Sequence, residues 1–171
     1  MRWVILLIPL LFLGCIQNNA KIHQNSTAEL KDQILDYLYP FDGFSYDNVS
    51  VEVKGDYIYV KAKCSKLKGE DIYLFVNDNG TLILKSYCLE ALPESVKLEA
   101  LSIAMSNETI AKNAKGIVTV RRILPQTSAK FYKPKELFSV TWHGDRIVSA
   151  LVDLDKKTVV KVYISAHHMI S

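Results

Sequence analysis

The chain has 171 residues, enough for one ordinary domain or two very small ones sharing a core. Hydrophobic residues make up 49% and charged residues 23%, and seven Gly with five Pro are too few for a disordered or fibrous chain. The net charge is +3, from 21 Lys+Arg interspersed with 18 Asp+Glu, and no run of five basic residues occurs. That balance argues against a nucleic-acid surface.

The first fifteen residues carry the clearest signal. Arg2 supplies one positive charge, and residues 3–13 form an unbroken apolar stretch. Eleven helical residues reach only about 16 Å, roughly half of a hydrocarbon core about 30 Å thick. Polar Gln17, Asn18 and Asn19 follow at once. The stretch therefore fits the apolar region of an export signal and not a spanning helix. Gly14-Cys15 at its end resembles the lipobox of secreted lipoproteins, in the looser form seen in archaeal surface lipoproteins. Phe12 and Leu13 depart from the strict bacterial pattern, which has Leu and then a small residue. The resemblance implies a signal peptide over residues 1–14, removal of it, and a lipid on the Cys15 thiol that holds the chain at the outer face of the cell membrane. The other reading of these residues is a signal cut elsewhere or retained, with Cys15 an ordinary thiol.

Residues 15–25 form a short polar tether. Ser26-Thr-Ala-Glu29 is a capping box, and Leu30, Ile34, Tyr37 and Leu38 make one helical stripe that Tyr39-Pro40 ends. Val49, Val51 and Val53 then alternate with polar residues, as do Ile58, Val60, Ala62 and Cys64 beyond a Lys54-Gly55-Asp56 turn. Residues 72–76 and 81–87 flank Asn79-Gly80, a strong hairpin signal. Pro93-Glu94 opens a second helix, with Val96, Ala100, Leu101, Ala104 and Met105 on one face and Met105 expected in the core. Ser106-Asn107-Glu108 interrupts it and Gly116 ends it. Strands follow over residues 117–124, 137–142, 146–153 and 158–164. The order predicts an α+β fold of two successive helix-plus-antiparallel-meander units, residues 26–92 and 93–171, sharing one core.

From Leu98 to Ile164 the chain resembles the PepSY-like, cystatin-like group of secreted modules. Glu99-Ala-Leu-Ser-Ile-Ala104 and the hairpin Ala150-Leu-Val-Asp-Leu154 with Thr158-Val-Val-Lys-Val162 carry the resemblance. Asp155-Lys156-Lys157 replaces the Gly usual in that final turn. The resemblance implies a binding or protease-restraining role without catalysis of its own.

Two features agree with an exported chain. Four Asn-X-Ser/Thr sequons, at Asn25, Asn48, Asn79 and Asn107, make these Asn candidates for glycosylation. Asn also favours turns and caps for its own reasons. With Cys15 lipidated, Cys64 and Cys88 remain as an even pair, whose disulfide would close a loop of about 25 residues worth roughly 3 kcal/mol. Two buried thiols are the alternative.

No phosphate loop, His-Glu-x-x-His, Cys-x-x-Cys or Gly-x-Ser-x-Gly motif is present, and neither a catalytic residue, a cofactor nor a metal ligand is predicted. Asp153 and Asp155 near His143 read as turn chemistry, and His167-His168-Met169 as a tail. Tyr57, Tyr59, Tyr73 and Tyr87 form a possible aromatic face on the first meander, or ordinary cross-strand pairs. The functional expectation is a lipid-anchored, non-enzymatic surface protein that contacts the membrane through its N-terminal lipid and binds a protein or peptide, with no nucleic-acid partner. The competing expectation is a surface hydrolase or other enzyme with a dispersed site, and a structural role in the envelope is a third.

Overall fold

In the computed structural model the described residues are 27–166, so Cys15 and Asn25 lie outside them. Helix α1 (Thr27–Leu35) leads through a loop into strands β1 (Asn48–Lys54), β2 (Tyr57–Lys63), β3 (Asp71–Asp78) and β4 (Thr81–Leu89). Helices α2 (Glu94–Met105) and α3 (Glu108–Asn113) follow. The chain then forms β5 (Ile117–Ile123), the single turn α4 (Pro125–Ser128), β6 (Leu137–His143), β7 (Arg146–Asp153) and β8 (Thr158–Ala166).

The eight strands form one antiparallel sheet in the order β1 to β8. This overturns the expected α+β plan of two helix-and-meander units: the protein is predominantly β, with one continuous sheet and short helices. The reason is a long-range pairing that local patterning does not report. Leu89 of β4 faces Arg122 of β5, and this one pair joins the two meanders into one sheet.

Residues directly opposite one another in a sheet share a face, as do residues two apart along a strand. Through α1 and the residues after it, Ile34 and Leu38 pack on Ile58, Val60, Tyr73, Phe75 and Leu89. Ala100 and Ala104 of α2 and Ile110 of α3 pack on Val120, Phe138, Val140, Val148 and Ala150. Because Leu89 is paired with Arg122, and Val120 lies two residues before Arg122, both cores lie on the same side of the sheet. The opposite side carries no described helix. Met105, expected in the core, is 41% exposed, because α2 buries only its Ala100 and Ala104 edge.

A β-bulge shifts the register between Leu74 and Phe75 and leaves Lys85 as the extra residue of β4. Leu82 and Leu84 face the core before it. After it the parity flips, so Tyr87 and Leu89 face inward while Cys88 faces outward opposite Ile72.

Candidate functional site

A chain of buried polar contacts holds the seam between the two meanders. Asp71 at the start of β3 is 1% exposed. One carboxylate oxygen accepts the Ala91 backbone N–H at 2.8 Å, and the other accepts the Tyr46 hydroxyl. The Tyr46 and Tyr73 hydroxyls are 2.7 Å apart, and the Tyr73 hydroxyl also accepts the Tyr39 N–H at 3.1 Å. Arg122, 4% exposed, donates to the Pro40 carbonyl at 3.1 Å and to the Tyr39 carbonyl, and lies 3.4 Å from the Glu136 carboxylate. Its guanidinium also stacks over the Phe41 ring at 5.7 Å. Phe41 packs against the second core and Tyr46 against the first, so residues 36–47 strap the two halves together.

Burial governs the ionisation of this cluster. It holds the Asp71 carboxyl above the usual carboxylate range despite the Tyr46 bond, and does the same to Glu136 despite Arg122. Burial pushes the Tyr73 hydroxyl up to about 12 and the Tyr46 hydroxyl higher still. These groups are ionisable and convergent, but they are enclosed and already bonded to one another. They hold the fold together.

Beside this pin the sheet comes apart. Asp71 captures the Ala91 N–H, and Leu92 makes an isolated bridge to Lys68. Both draw the chain after β4 toward the start of β3 and away from β5. Gly69, at φ +100, permits the close pass: a Cβ there would lie 2.7 Å from the Glu90 carbonyl. As a result, residues 117–121 of β5 have no paired strand on the β4 side among the described residues. A groove of about 260 Å³ runs along this open edge, bounded by Val118 and Val120, by Lys97, Leu98 and Leu101 of α2, and by Glu90. Its apolar rim is open to solvent, with Leu98 57% and Val118 38% exposed. Glu90, at its margin, pairs with Arg121 at 2.8 Å.

An edge strand beside a helix offers unpaired main-chain donors and acceptors along one wall and apolar side chains along the other. That is the arrangement that takes an extended peptide as an added strand. No residue pattern around 117–121 announces it. The strand reads as any other, and only its neighbour's departure makes it an edge.

The larger cleft, about 570 Å³, is shallow and lined by Asp47, Cys64, Glu70 and Glu90 among others. Asp47 is committed to the Ser65 N–H at 2.7 Å, and hydrogen bonds to Ser65 lower its carboxyl. Glu70 pairs with Lys63 at 3.2 Å. Among the described residues no imidazole lines this cleft beside the Cys64 thiol.

The expected disulfide between Cys64 and Cys88 is not formed, and both are free thiols. Cys64, one residue past β2, is buried on the core side. The β4 bulge turns Cys88 to the opposite face, with β3 between them. Burial raises the Cys88 thiol. The four tyrosines of the expected aromatic face are divided too. Tyr57 and Tyr59 are 50% and 40% exposed on the bare side, whereas Tyr73 is fully buried and Tyr87 faces the core, bonded to Thr127 at 2.6 Å.

Of the sequon asparagines, Asn48 and Asn79 are exposed at a strand start and a turn. Asn79 sits at φ 51, a conformation Asn tolerates well. Asn107 is the N-cap of α3, accepting from Thr109 and Ile110 at 3.1 and 3.2 Å. Turn and cap chemistry thus accounts for Asn at two of these positions without a glycan. His143 lies 3.2 Å from the Thr119 hydroxyl, and Asp153 accepts from Lys135 at 2.7 Å, so the two do not pair with each other. His167 to Met169 lie outside the described residues. Among the described residues no cluster of three or more His, Cys, Asp or Glu is arranged to hold a metal, and no helix is long and apolar enough to cross a membrane. Compared with known protein families, curated proteins and solved structures, the chain shows no significant match to any of them.

Proposed function

We propose that this protein is a non-enzymatic surface module, tethered to the outer face of a membrane by a lipid on Cys15, that recognises an extended peptide segment of another protein. The observation that carries the recognition step is the open stretch of β5 beside α2, where a strand edge meets an apolar groove. Main-chain pairing with residues 117–121 supplies affinity, and alternate side chains of the bound segment fall against Leu98, Leu101 and Val118. The lipobox-like Gly14-Cys15 and the apolar stretch before it support the anchor. The PepSY-like, cystatin-like resemblance of the second half, which contains β5 and α2, gives the reading a specific form: restraint of a protease by holding a segment of it. Glycans on the exposed Asn48 and Asn79 fit the same address.

The anchor is tested by intact mass and membrane partitioning of the native protein beside Cys15→Ser. A chain beginning at Cys15 with added lipid mass, released from the membrane by the substitution, supports it. An unmodified, uncut chain in the soluble fraction refutes it. Recognition is tested by selecting peptides from a displayed random library against the protein. Selected peptides should lose affinity at least about tenfold toward Leu98→Glu, which sets a charge against the apolar wall.

A further inference from the structure

We infer that the bare outer face of β2, β3 and β4 is a membrane-contact surface, an inference that rests on the lipid anchor proposed for Cys15. Register places its residues in neighbouring rows: Tyr57 beside Val76 and Ile83, Tyr59 beside Leu74, and Lys61 beside Ile72. Tyr57, Tyr59, Ile72 and Ile83 are 50%, 40%, 36% and 36% exposed, and no described element covers them. On the same face of the second meander, hydroxyls of Thr119, Ser139, Thr141 and Ser149 fill the middle rows, with Ile117 and Tyr163, 76% and 44% exposed, at its two margins. The exposed apolar residues of the first meander thus lie on adjacent strands β2, β3 and β4, whereas Ile117 and Tyr163 stand apart, with β6 and β7 between them.

The length of chain outside the described residues names the occupant. From Cys15 to Thr27 there are twelve residue steps, spanning at most about 40 Å when extended. The tether attaches at α1 on the core side of the sheet, about 10 Å from the strands, so its length suffices to pass the sheet's edge to the bare face. A lipid on Cys15 therefore keeps this face within reach of the bilayer surface. One acyl chain alone gives only marginal, reversible binding, and either a second lipid chain or another membrane contact such as this face makes residence stable. Tyrosine rings with wet hydroxyls, bordered by lysines with long apolar stems, suit the headgroup region. Lys54 and Lys61 border the patch on its β1–β2 side, the Lys54 ammonium lying 5.5 Å from the Tyr59 ring centre and 2.9 Å from the Glu52 carboxylate, with Asp78 at the far end of β3.

Both cores are built from residues 30–162, so a chain of residues 15–171 keeps the whole fold. The test uses that chain with Cys15→Ser, free of lipid, in sedimentation with phosphatidylcholine–phosphatidylglycerol vesicles. Measurable partitioning is expected, and it should fall about tenfold or more in the triple variant Tyr57→Ser, Tyr59→Ser, Ile83→Ser. Circular dichroism checks that the variant is folded, and Tyr163→Ser, an equally exposed tyrosine in β8, should leave partitioning unchanged. Partitioning that is absent, insensitive to the triple variant, or equally sensitive to Tyr163→Ser overturns the inference. These arms use unlipidated protein, so they fail independently of the Cys15 anchor, which the mass measurement decides separately.

Discussion

Replacing Arg122 with Leu removes the pin between the two meanders, and the adjacent Arg121 provides the control. The two side chains point to opposite faces of β5. Arg122 is 4% exposed, with the Tyr39 and Pro40 carbonyls, the Glu136 carboxylate and the Phe41 ring as partners. Hydrogen bonds to a charged donor are worth about 1.5–3 kcal/mol each when protected from water. Both carbonyl acceptors are only partly buried, so the lower end applies to each, and their sum is about 3 kcal/mol. Glu136, more than a third exposed, adds less than about 1 kcal/mol. Relief of the arginine's own burial offsets part of that addition. A loss of about 3 kcal/mol lowers a urea midpoint by about 1.5 M when the slope is about 2 kcal/mol per molar. Arg121→Leu breaks only the half-exposed pair with Glu90, which limits its cost to about 1 kcal/mol. Urea unfolding followed by fluorescence, with Trp142 buried in the second core as reporter, measures both. Equal losses from the two variants would refute the assignment of Arg122 as the pin.

Three further outcomes follow from the same structure. Asp71 has its carboxyl raised in the folded protein, so its contribution to stability is full below about pH 3.8 and is lost as pH rises through the folded value. The stability of wild type relative to Asp71→Asn should therefore be greater at pH 3.5 than at pH 7 in matched urea titrations, and the reverse order would contradict the burial argument. Gly116→Ala should cost more than Gly80→Ala by thermal unfolding. Both glycines sit at positive φ, but a Cβ at 116 would collide with the His143 carbonyl, whereas at 80 it meets nothing within 4 Å. The cost at 80 should stay near about 1 kcal/mol. Leu98→Glu should change stability by no more than about 0.5 kcal/mol, since Leu98 is 57% exposed, while abolishing peptide selection; a large drop in melting temperature would show that the residue is structural.

The strands were legible because their information is local. The burial of β2 alternates through all seven residues, and Asn79-Gly80 and Pro93 mark a turn and a helix start where the structure has them. What escaped the sequence depends on partners far along the chain. The β4 bulge at Lys85 reverses which of Tyr87 and Cys88 faces the core, and no residue there announces a bulge. That single inserted residue puts Tyr87 with Tyr73 on the core face and separates Cys88 from Cys64, while the β2–β3 register already divides Tyr73 from Tyr57 and Tyr59. The joining of two meanders into one sheet rests on the Leu89–Arg122 pair, 33 residues apart in the sequence, and Arg-Arg at 121–122 gives no hint which side chain is buried. The candidate groove was illegible for the same reason. It is made by the path of residues 90–93 away from β5, set by Asp71 and Lys68 in another part of the chain.

The central claim is that an extended peptide adds to the open edge of β5. Amide hydrogen exchange of the protein with and without a library-selected peptide tests it most directly. New protection confined to residues 117–121, with side-chain shifts at Leu98 and Leu101, is the predicted result. Protection along β8, on the bare face of the sheet, or nowhere would contradict it.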